Sequence, residues 1–558
     1  MTLRWLPPPE LPAEAKRALA GFSRPMQHLL FNRGLTEADV ARRFLDKSPD
    51  EAHDSALFHQ MPAAVSILRR AIQQGRPVVV YGDYDADGVT GSALLVEALR
   101  QAGGQVDAYI PDRFEEGYGL NMAAVERLAA QGRQVLVTVD CGTRSVAEVA
   151  RAKELGLEVI LTDHHHPAAE LPPADAILNP RLADETYPFK GLAGVGIAYK
   201  LAASLFGDSQ AQSHLDLVAL GTIADLAPLQ DENRVLVWQG LNQINAAPRP
   251  GIRALIEAAG LQAGTIGAAN VAFALGPRLN AAGRMDSAGL ALTLLLTRDP
   301  AQASELAVRL DRLNRDRQEE TKHVVERARQ IALERAERAH LMFALDPEFH
   351  EGVVGLAAAR LMEEFYLPAL VASERNGLIR GSARSVPGFH ITEALEACDD
   401  LLLEYGGHAA AAGFRLQRSE LEAFVARLAD QVRQFIERAA PERSRQIDAE
   451  LPLDELDVSL LDDLEQLEPF GQGNPPPVFA AYGARVLAWR PVGKQGDHLK
   501  LTLAGAWKSF DAIAFRKGQL PSLKNRPIDV IFHFERDWFR GVPKEQLNVI
   551  DLRPAGSG

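Results

Sequence analysis

Beyond Pro77 short apolar runs alternate with stretches of helical periodicity. The runs are PVVVYG, VDAYIP, QVLVTVD, LEVILTD and DAILN, spaced at about 20 to 30 residues. Buried strands separated by helices predict βαβ units in a parallel sheet. Three of the runs end in, or lead directly into, acidic residues. Ligands of open α/β sheets lie at the carboxyl ends of the strands, so the chemistry is expected there.

Residues 300–340 carry no glycine and no proline after Pro300, and their apolar positions recur at three- and four-residue intervals among many charges. This predicts one long, largely exposed helix joining two lobes. A second α/β unit follows, with LMFALD as a strand, VVGLAAARLMEEF as a helix and LIRGSAR as a strand. GGHAAAAGF is expected to be a tight turn leading into further helix. EPFGQGNPPPVF is a linker rich in Pro and Gly. The runs ARVLAWRP, HLKLTLAG, SFDAIAFR, IDVIFHFERDWF and LNVIDLRP then predict a small all-β domain of OB type. A chain of 558 residues is too long for one core. The expected divisions are an N-terminal segment at 1–50, a catalytic domain at 51–299, the long helix at 300–340, a second α/β domain at 341–440 and an OB-like domain at 441–558. Residues 1–50 are mixed helical and polar and say little.

Charge modifies this picture. The net charge of −14 argues weakly against a nucleic-acid partner, but it is unevenly spread. From Ala480 onward there are 13 Lys and Arg against 7 Asp and Glu, a net of +6. Residues 441–470 hold 10 acidic and 2 basic residues. An acidic chain can still present a basic groove. No apolar run is long enough to span a bilayer, and MTLRWLPPPELPAEAKR has no signal-peptide core, so a cytoplasmic location is expected. The two cysteines, Cys141 and Cys398, are in no metal spacing.

The densest candidate chemistry is GDYDADG at 82–88, just after VVVY. An EF-hand loop also begins D-x-D-x-D-G but needs a glutamate at its twelfth position, where this chain has Leu94, and it follows a helix. A solvated acidic turn is the other plain reading. Three carboxylates this close repel one another, which favours a compensating cation. Asp140 ends VLVTVD, and Asp163 with His164, His165 and His166 ends LEVILTD. Mixed carboxylate and imidazole ligands suit Mn²⁺ better than Mg²⁺. Asp225, at the end of LVALGTIAD, is either a further ligand or a helix cap.

In order and spacing, GDYDADG, VTVDCGT, LTDHHHP and GTIADLAP resemble the four motifs of the DHH phosphoesterases. GGHAAAAGF at 406–414 resembles the GGHxxAAG signature of their DHHA1-type second domain. IPDRFEEGYG, GPRLNAAGRMDSA, RGSARS, the long helix and the terminal β domain resemble the RecJ-like branch. Many family members have a metal-binding histidine four residues before the first-motif aspartates, where this chain has Tyr81.

The resemblance implies a 5′-to-3′ exonuclease acting on single-stranded DNA, in recombination and repair, with two divalent cations, Mn²⁺ foremost and Mg²⁺ as an alternative. It implies Asp83, Asp85, Asp87, Asp140, His164 and Asp225 as metal ligands. His165 is implied as a ligand or an orienting group, and His408 as a contact to the scissile phosphate. Arg113, Arg278, Asn280, Arg284, Ser382 and Arg384 are implied as substrate contacts, several of them around a 5′ phosphate. Guanidinium suits that task because it stays charged and binds phosphate bidentately. Trp489, Phe515, Phe532 and Trp538 are candidate base-stacking residues of the OB-like domain. The implied partners are single-stranded DNA, a single-stranded-DNA-binding protein and a helicase, with the enzyme itself a monomer. Rival readings are a DHH phosphodiesterase of small substrates and a non-catalytic DNA-binding relative. The long helix and basic β domain speak against the first, and the intact acidic set against the second.

Overall fold

The computed structural model describes residues 3–335, 339–493, 495–537 and 543–556. Strand β1 (Arg4–Leu6) and the helices Ala13–Ala18, Arg24–Asn32 and Ala38–Asp46 precede the first sheet. That sheet holds β2 (Val78–Gly82), β3 (Val106–Tyr109), β4 (Val135–Val139), β5 (Glu158–Thr162) and β6 (Ala176–Leu178). All neighbours are parallel, in the order β3-β2-β4-β5-β6. The apolar runs are continuous because both faces are covered. Val78, Val80, Val135 and Val137 join one core with the helices Met61–Gln74, Ala86–Gln101 and Gly194–Phe206. Val79, Tyr81, Leu136 and Val159 join another under the helices Met122–Ala130 and Val146–Glu154. From β2 the order runs to β3 on one side and to β4 on the other. That reversal opens a crevice at the carboxyl ends of β2 and β4, where doubly wound sheets hold ligands.

The long helix spans Pro300–Glu334, capped by the Asp299 side chain on the Ala301 N–H. It ends where Arg335 turns to extended backbone and lays its guanidinium over Phe343. The second sheet contains β7 (Met342–Leu345), β8 (Ala369–Arg375), β9 (Leu378–Arg384), β10 (Glu404–His408) and β11 (Ala411–Gln417), in the order β10-β11-β9-β8-β7. GGHAAAAGF is therefore not a turn into helix but a tight β-hairpin, with His408 paired to Ala411. Alanine favours helix locally, but Ala412, Phe414 and Leu416 alternate inward with period two, and that burial decides the outcome. Gly407 has φ of +152°, and a side chain there would strike the facing Ala411 and Ala412 backbone. The helix Leu421–Ala439 closes this domain.

Strands β12 (Ser444–Gln446) and β13 (Ala449–Glu450) lead into β14 (Phe479–Val492), β15 (His498–Ala504), β16 (Ser509–Ala514), β17 (Pro527–Asp537) and β18 (Lys544–Pro554). The order β14-β15-β16-β18-β17 closes back on β14, and β16 with β18 is the parallel pair. This is the OB-type barrel that the sequence predicts. The N-terminal segment packs against it. β1 pairs with β12, and Leu19, Met26, Leu29 and Leu30 share a core with Leu453, Leu464 and the barrel interior. Among the described residues no helix is long and apolar enough to cross a membrane.

Candidate metal centre and phosphate pocket

The acidic residues converge at the crevice between β2 and β4. Asp83 follows β2 and is buried; Asp85 caps the helix Ala86–Gln101, accepting from the Asp87 and Gly88 N–H groups. Asp87, in the first turn of that helix, is buried, with both oxygens held by a second helix start: Gly194 N–H at 2.6 Å and Val195 N–H at 2.8 Å. Asp140 follows β4 with φ of +63°, a costly backbone setting of the kind found at functional sites. Gly194 packs against it so closely that a Cβ at 194 would sit 2.7 Å from Asp140 Cβ. Asp225 ends the apolar helix Leu215–Ala224 and reaches the same cluster.

His164 Nε2 lies 3.0 Å from Asp140 Oδ1, 3.8 Å from Asp225 Oδ2 and 3.9 Å from Asp87 Oδ2. Three overlapping groups could each hold a cation: Asp83, Asp85 and Asp140; Asp140, His164 and His165; Asp87, His164 and Asp225. Every carboxylate and imidazole that the sequence nominates as a ligand is in one of them. Tyr81 is not a substitute ligand, because it lies buried on the sheet's other side, donating to the Gly119 carbonyl at 3.0 Å.

Does this donor set fit a metal? Asp83 Oδ1, Asp140 Oδ1 and His164 Nε2 are buried without a hydrogen-bond partner among the described residues, which is costly unless something cationic meets them. Burial and mutual repulsion raise Asp83, Asp87, Asp140 and Asp225 above the ordinary carboxylate range. Burial pushes His164 down to about 3, leaving its imidazole neutral and free to ligate. Orphaned acceptors, a neutral imidazole and clustered carboxylates fit divalent cations with mixed O and N ligands.

His165 is held differently. Its Nδ1 lies 2.8 Å from Asp163 Oδ1 and 3.0 Å from the Tyr118 hydroxyl, which donates to the Asp140 carbonyl at 3.3 Å. Burial opposes its charge, but Asp163 outweighs it and raises the imidazole pKa. Asp163 itself accepts from the Thr143 N–H at 2.9 Å. In the sequence Asp163 stands out only within its motif and Tyr118 has no evident role, because Tyr118 meets its partners across long stretches of chain. His408, at the end of β10, brings the second domain to the site, its ring 6.3 Å from that of His165 and at 13° to it.

Beside the carboxylates lies a cluster of guanidinium groups. Arg113 rests over the Tyr84 ring at 4.9 Å, and Arg284 donates to the Gly352 carbonyl at 3.2 Å. Burial, Arg113 and Arg317 push Arg284 down to about 9, and burial with Arg113 lowers Arg384. Arg384 and Ser382 line Gly355 in the first turn of the helix Val354–Phe365, whose N-cap residue Val353 offers no capping side chain. Like charges at an uncapped helix start can hold an anion.

Two nominated contacts have structural partners. Asn280 Oδ1 accepts from the Ala86 N–H at 2.8 Å, bracing the acidic loop, and Arg278 pairs with Asp311 of the long helix at 2.9 Å. In the barrel, Phe532 is core, Trp489 is partly buried and Phe515 is exposed; Trp538 lies outside the described residues. A further aromatic that sequence reasoning missed is Trp507, 79% exposed on a hairpin whose three N–H groups, at Ala506, Trp507 and Lys508, are pinned by Asp454.

Clustered carboxylates and imidazoles fit for divalent cations, next to a cluster of guanidiniums fit for a phosphate, define a metal-dependent phosphoesterase. Comparisons with known proteins agree. Residues 77–222 match the DHH family N-terminal domain, 338–434 the DHHA1 domain and 447–551 the RecJ OB domain. The chain is 39% identical to the single-stranded-DNA-specific exonuclease RecJ of Dickeya dadantii, covering 91% of this chain and 93% of that one. It is 38% identical to the protein of the same name from Escherichia coli, over 88% of this chain and 90% of that one. The crystal structure of RecJ in complex with Mn²⁺ from Thermus thermophilus superposes with a TM-score of 0.84 at 32% identity, covering 100% of this chain and 80% of that one. The chain belongs to the RecJ family.

Proposed function

We propose that this protein is a single-stranded-DNA-specific exonuclease that hydrolyses phosphodiester bonds from the 5′ end in DNA recombination and repair. The observation that carries the reading is the pairing of a multi-carboxylate metal centre with an arginine pocket at one cleft. Two divalent cations, Mn²⁺ or Mg²⁺, supply an activated water and neutralise phosphoryl charge when bound. We assign Asp83, Asp85, Asp87, Asp140, His164 and Asp225 to hold them. Asp163 and Tyr118 orient His165. His408 meets the scissile phosphate from the second domain, where β-hairpin pairing fixes its place. Arg113, Arg284, Arg384 and Ser382 receive the 5′ phosphate of the terminal nucleotide. Cleavage of the P–O3′ bond leaves a new 5′ phosphate on the remaining strand, so each turnover regenerates the group that the pocket takes. Arg278 and Asn280 act by holding their helix and the acidic loop rather than by direct contact.

In this reading residues 51–299 are the catalytic domain, 341–440 its partner across the cleft, and the barrel a strand-holding module with its net positive charge. The enzyme works as a monomer in the cytoplasm, on strands supplied by a helicase and covered by a single-stranded-DNA-binding protein. The test is incubation of purified protein with 5′- and 3′-labelled single-stranded, duplex and circular DNA, with and without Mn²⁺. Release from the 5′ end of linear single strands alone is expected. Equal digestion of circular DNA would overturn the end-directed reading.

A further inference from the structure

Strand β6 ends at Leu178, and the chain leaves it through Asn179, Pro180 and Arg181. Asp83, Asp140 and the histidine motif stand at the ends of the neighbouring strands, so Arg181 occupies the same edge of the sheet. Asn179 fixes it there. This buried side chain donates to the His165 carbonyl at 2.8 Å and the Thr143 hydroxyl at 3.1 Å, and accepts from the Arg181 N–H at 2.9 Å. The arginine is thus tied to the loop that carries His164 and His165. Its guanidinium meets His166 Nε2 at 3.0 Å, and the His166 ring lies 6.3 Å from that of His408.

Despite the carboxylates nearby, Arg181 makes no ion pair with any of them among the described residues, and its Nε is buried without a hydrogen-bond partner. A buried donor left open on a charged group is costly unless a ligand completes it. The 5′-phosphate pocket does not use this arginine: that pocket abuts Tyr84 and Gly352, whereas Arg181 abuts His166 on the His408 side. Arg181 thus offers a cationic group on the opposite side of the metal centre from that pocket.

We propose that Arg181 is a catalytic residue that donates to a non-bridging oxygen of the scissile phosphate, beside His408. The inference rests on the phosphodiester-hydrolysis reading above. In the reaction water oxygen bonds to phosphorus, the P–O3′ bond breaks, and its electron pair leaves on the 3′ oxygen, which takes up a proton. Negative charge gathers on the non-bridging oxygens as this happens. A guanidinium anchored at its backbone by Asn179 and held through Nη1 by His166 meets that charge with little reorganisation, which is the requirement for transition-state stabilisation.

The test uses full-length wild type, Arg181→Met and Arg181→Lys on 5′-phosphorylated single strands with Mn²⁺. Arg181→Met is expected to lower kcat about a hundredfold or more while KM moves less than about threefold, the range typical of losing one transition-state donor. Arg181→Lys, which keeps the charge and fold but not the fork, should still lose more than about tenfold in kcat. Added guanidinium salt should partly restore the methionine variant. Mn²⁺ affinity by calorimetry and the preference for a 5′ phosphate should stay at wild-type values. A raised KM at unchanged kcat, weakened Mn²⁺ binding, or wild-type rates in both variants would overturn the proposal. An inactive wild type would overturn the hydrolysis reading itself.

Discussion

His165 and His408 lie almost parallel, their ring centroids 6.3 Å apart, although one is on the loop after β5 of the parallel sheet and the other on a hairpin of the second domain. Each is fixed from its own side, His165 by Asp163 and Tyr118, His408 by the β10–β11 pairing. The two domains must therefore keep their relative position for the pair to act. His408→Ala should reduce kcat about a hundredfold or more, the usual scale for losing one positioned contact to the reacting phosphate. Mn²⁺ affinity should not change, because His408 is in none of the ligand groups. Loss of Mn²⁺ binding in calorimetry would move His408 into the ligand set.

The buried carboxylates give a pH signature. In cation-free protein Asp87 is raised to about 7 and Asp225 to about 9, with Asp140 also raised. Raised values mean that the folded chain keeps protons that the unfolded chain has released. Their stabilising contribution is complete below about pH 4 and is lost as pH rises through the folded values. Asp140→Asn removes one repelling charge. In chelator at pH 8 it should melt at or above the wild-type temperature, and the gap should narrow by pH 5. Hydrolysis should be abolished. Normal Mn²⁺-dependent cleavage by this variant would remove Asp140 from the centre.

The arginine pocket predicts end discrimination. Wild type should prefer 5′-phosphorylated over 5′-hydroxyl single strands, and Arg284→Ala or Arg384→Ala should shrink that preference. A charge-assisted contact contributes roughly 1.5–3 kcal/mol, so each loss should be about ten- to a hundredfold. Competition between the two labelled ends measures it directly; equal rates for wild type on both would contradict the pocket.

Gly194 tests the packing of the centre. A methyl group at 194 would collide with Asp140 and disturb the N–H that holds Asp87. Gly194→Ala should weaken Mn²⁺ binding at least about tenfold, whereas Gly132→Ala, at a turn with open space, should cost only the strain of its φ of +80°. Equal Mn²⁺ affinity of Gly194→Ala and wild type would show that the helix start can move aside.

The barrel cannot be removed alone. Leu19, Met26, Leu29 and Leu30 lose their core if residues 441–558 are deleted, and buried Arg234 loses the Gln466 and Glu468 carbonyls. That truncation should aggregate or melt well below the full chain. Trp507→Ala leaves the core untouched and is the cleaner probe: affinity for long strands should fall, with about 1–3 kcal/mol expected for one lost stacking contact. Rates on very short oligonucleotides should hold. Unchanged affinity for long strands would take Trp507 out of strand binding.

The sequence by itself determined the layers of the fold and brought the candidate metal ligands to one edge of the sheet. Most of the candidate ligands sit at or just past the ends of runs whose continuous apolar character marks them as buried strands, and in a parallel sheet such ends share one edge. The barrel was equally legible, since alternating β-runs and turn residues act locally. Tertiary structure decided what depends on separation in space. Alanine-rich 408–412 became a hairpin because long-range pairing and period-two burial outweigh local helix preference. Asn280 turned out to brace the acidic loop, and Arg278 to pair with the long helix, because their partners lie far off in the chain. Residues 1–50 found their core more than 400 positions away, on the barrel. Arg181 carried no motif that marked it; only the fold shows a guanidinium beside the centre that meets His166 and keeps its Nε without a partner among the described residues, because pairing is a property of distances that no local pattern encodes.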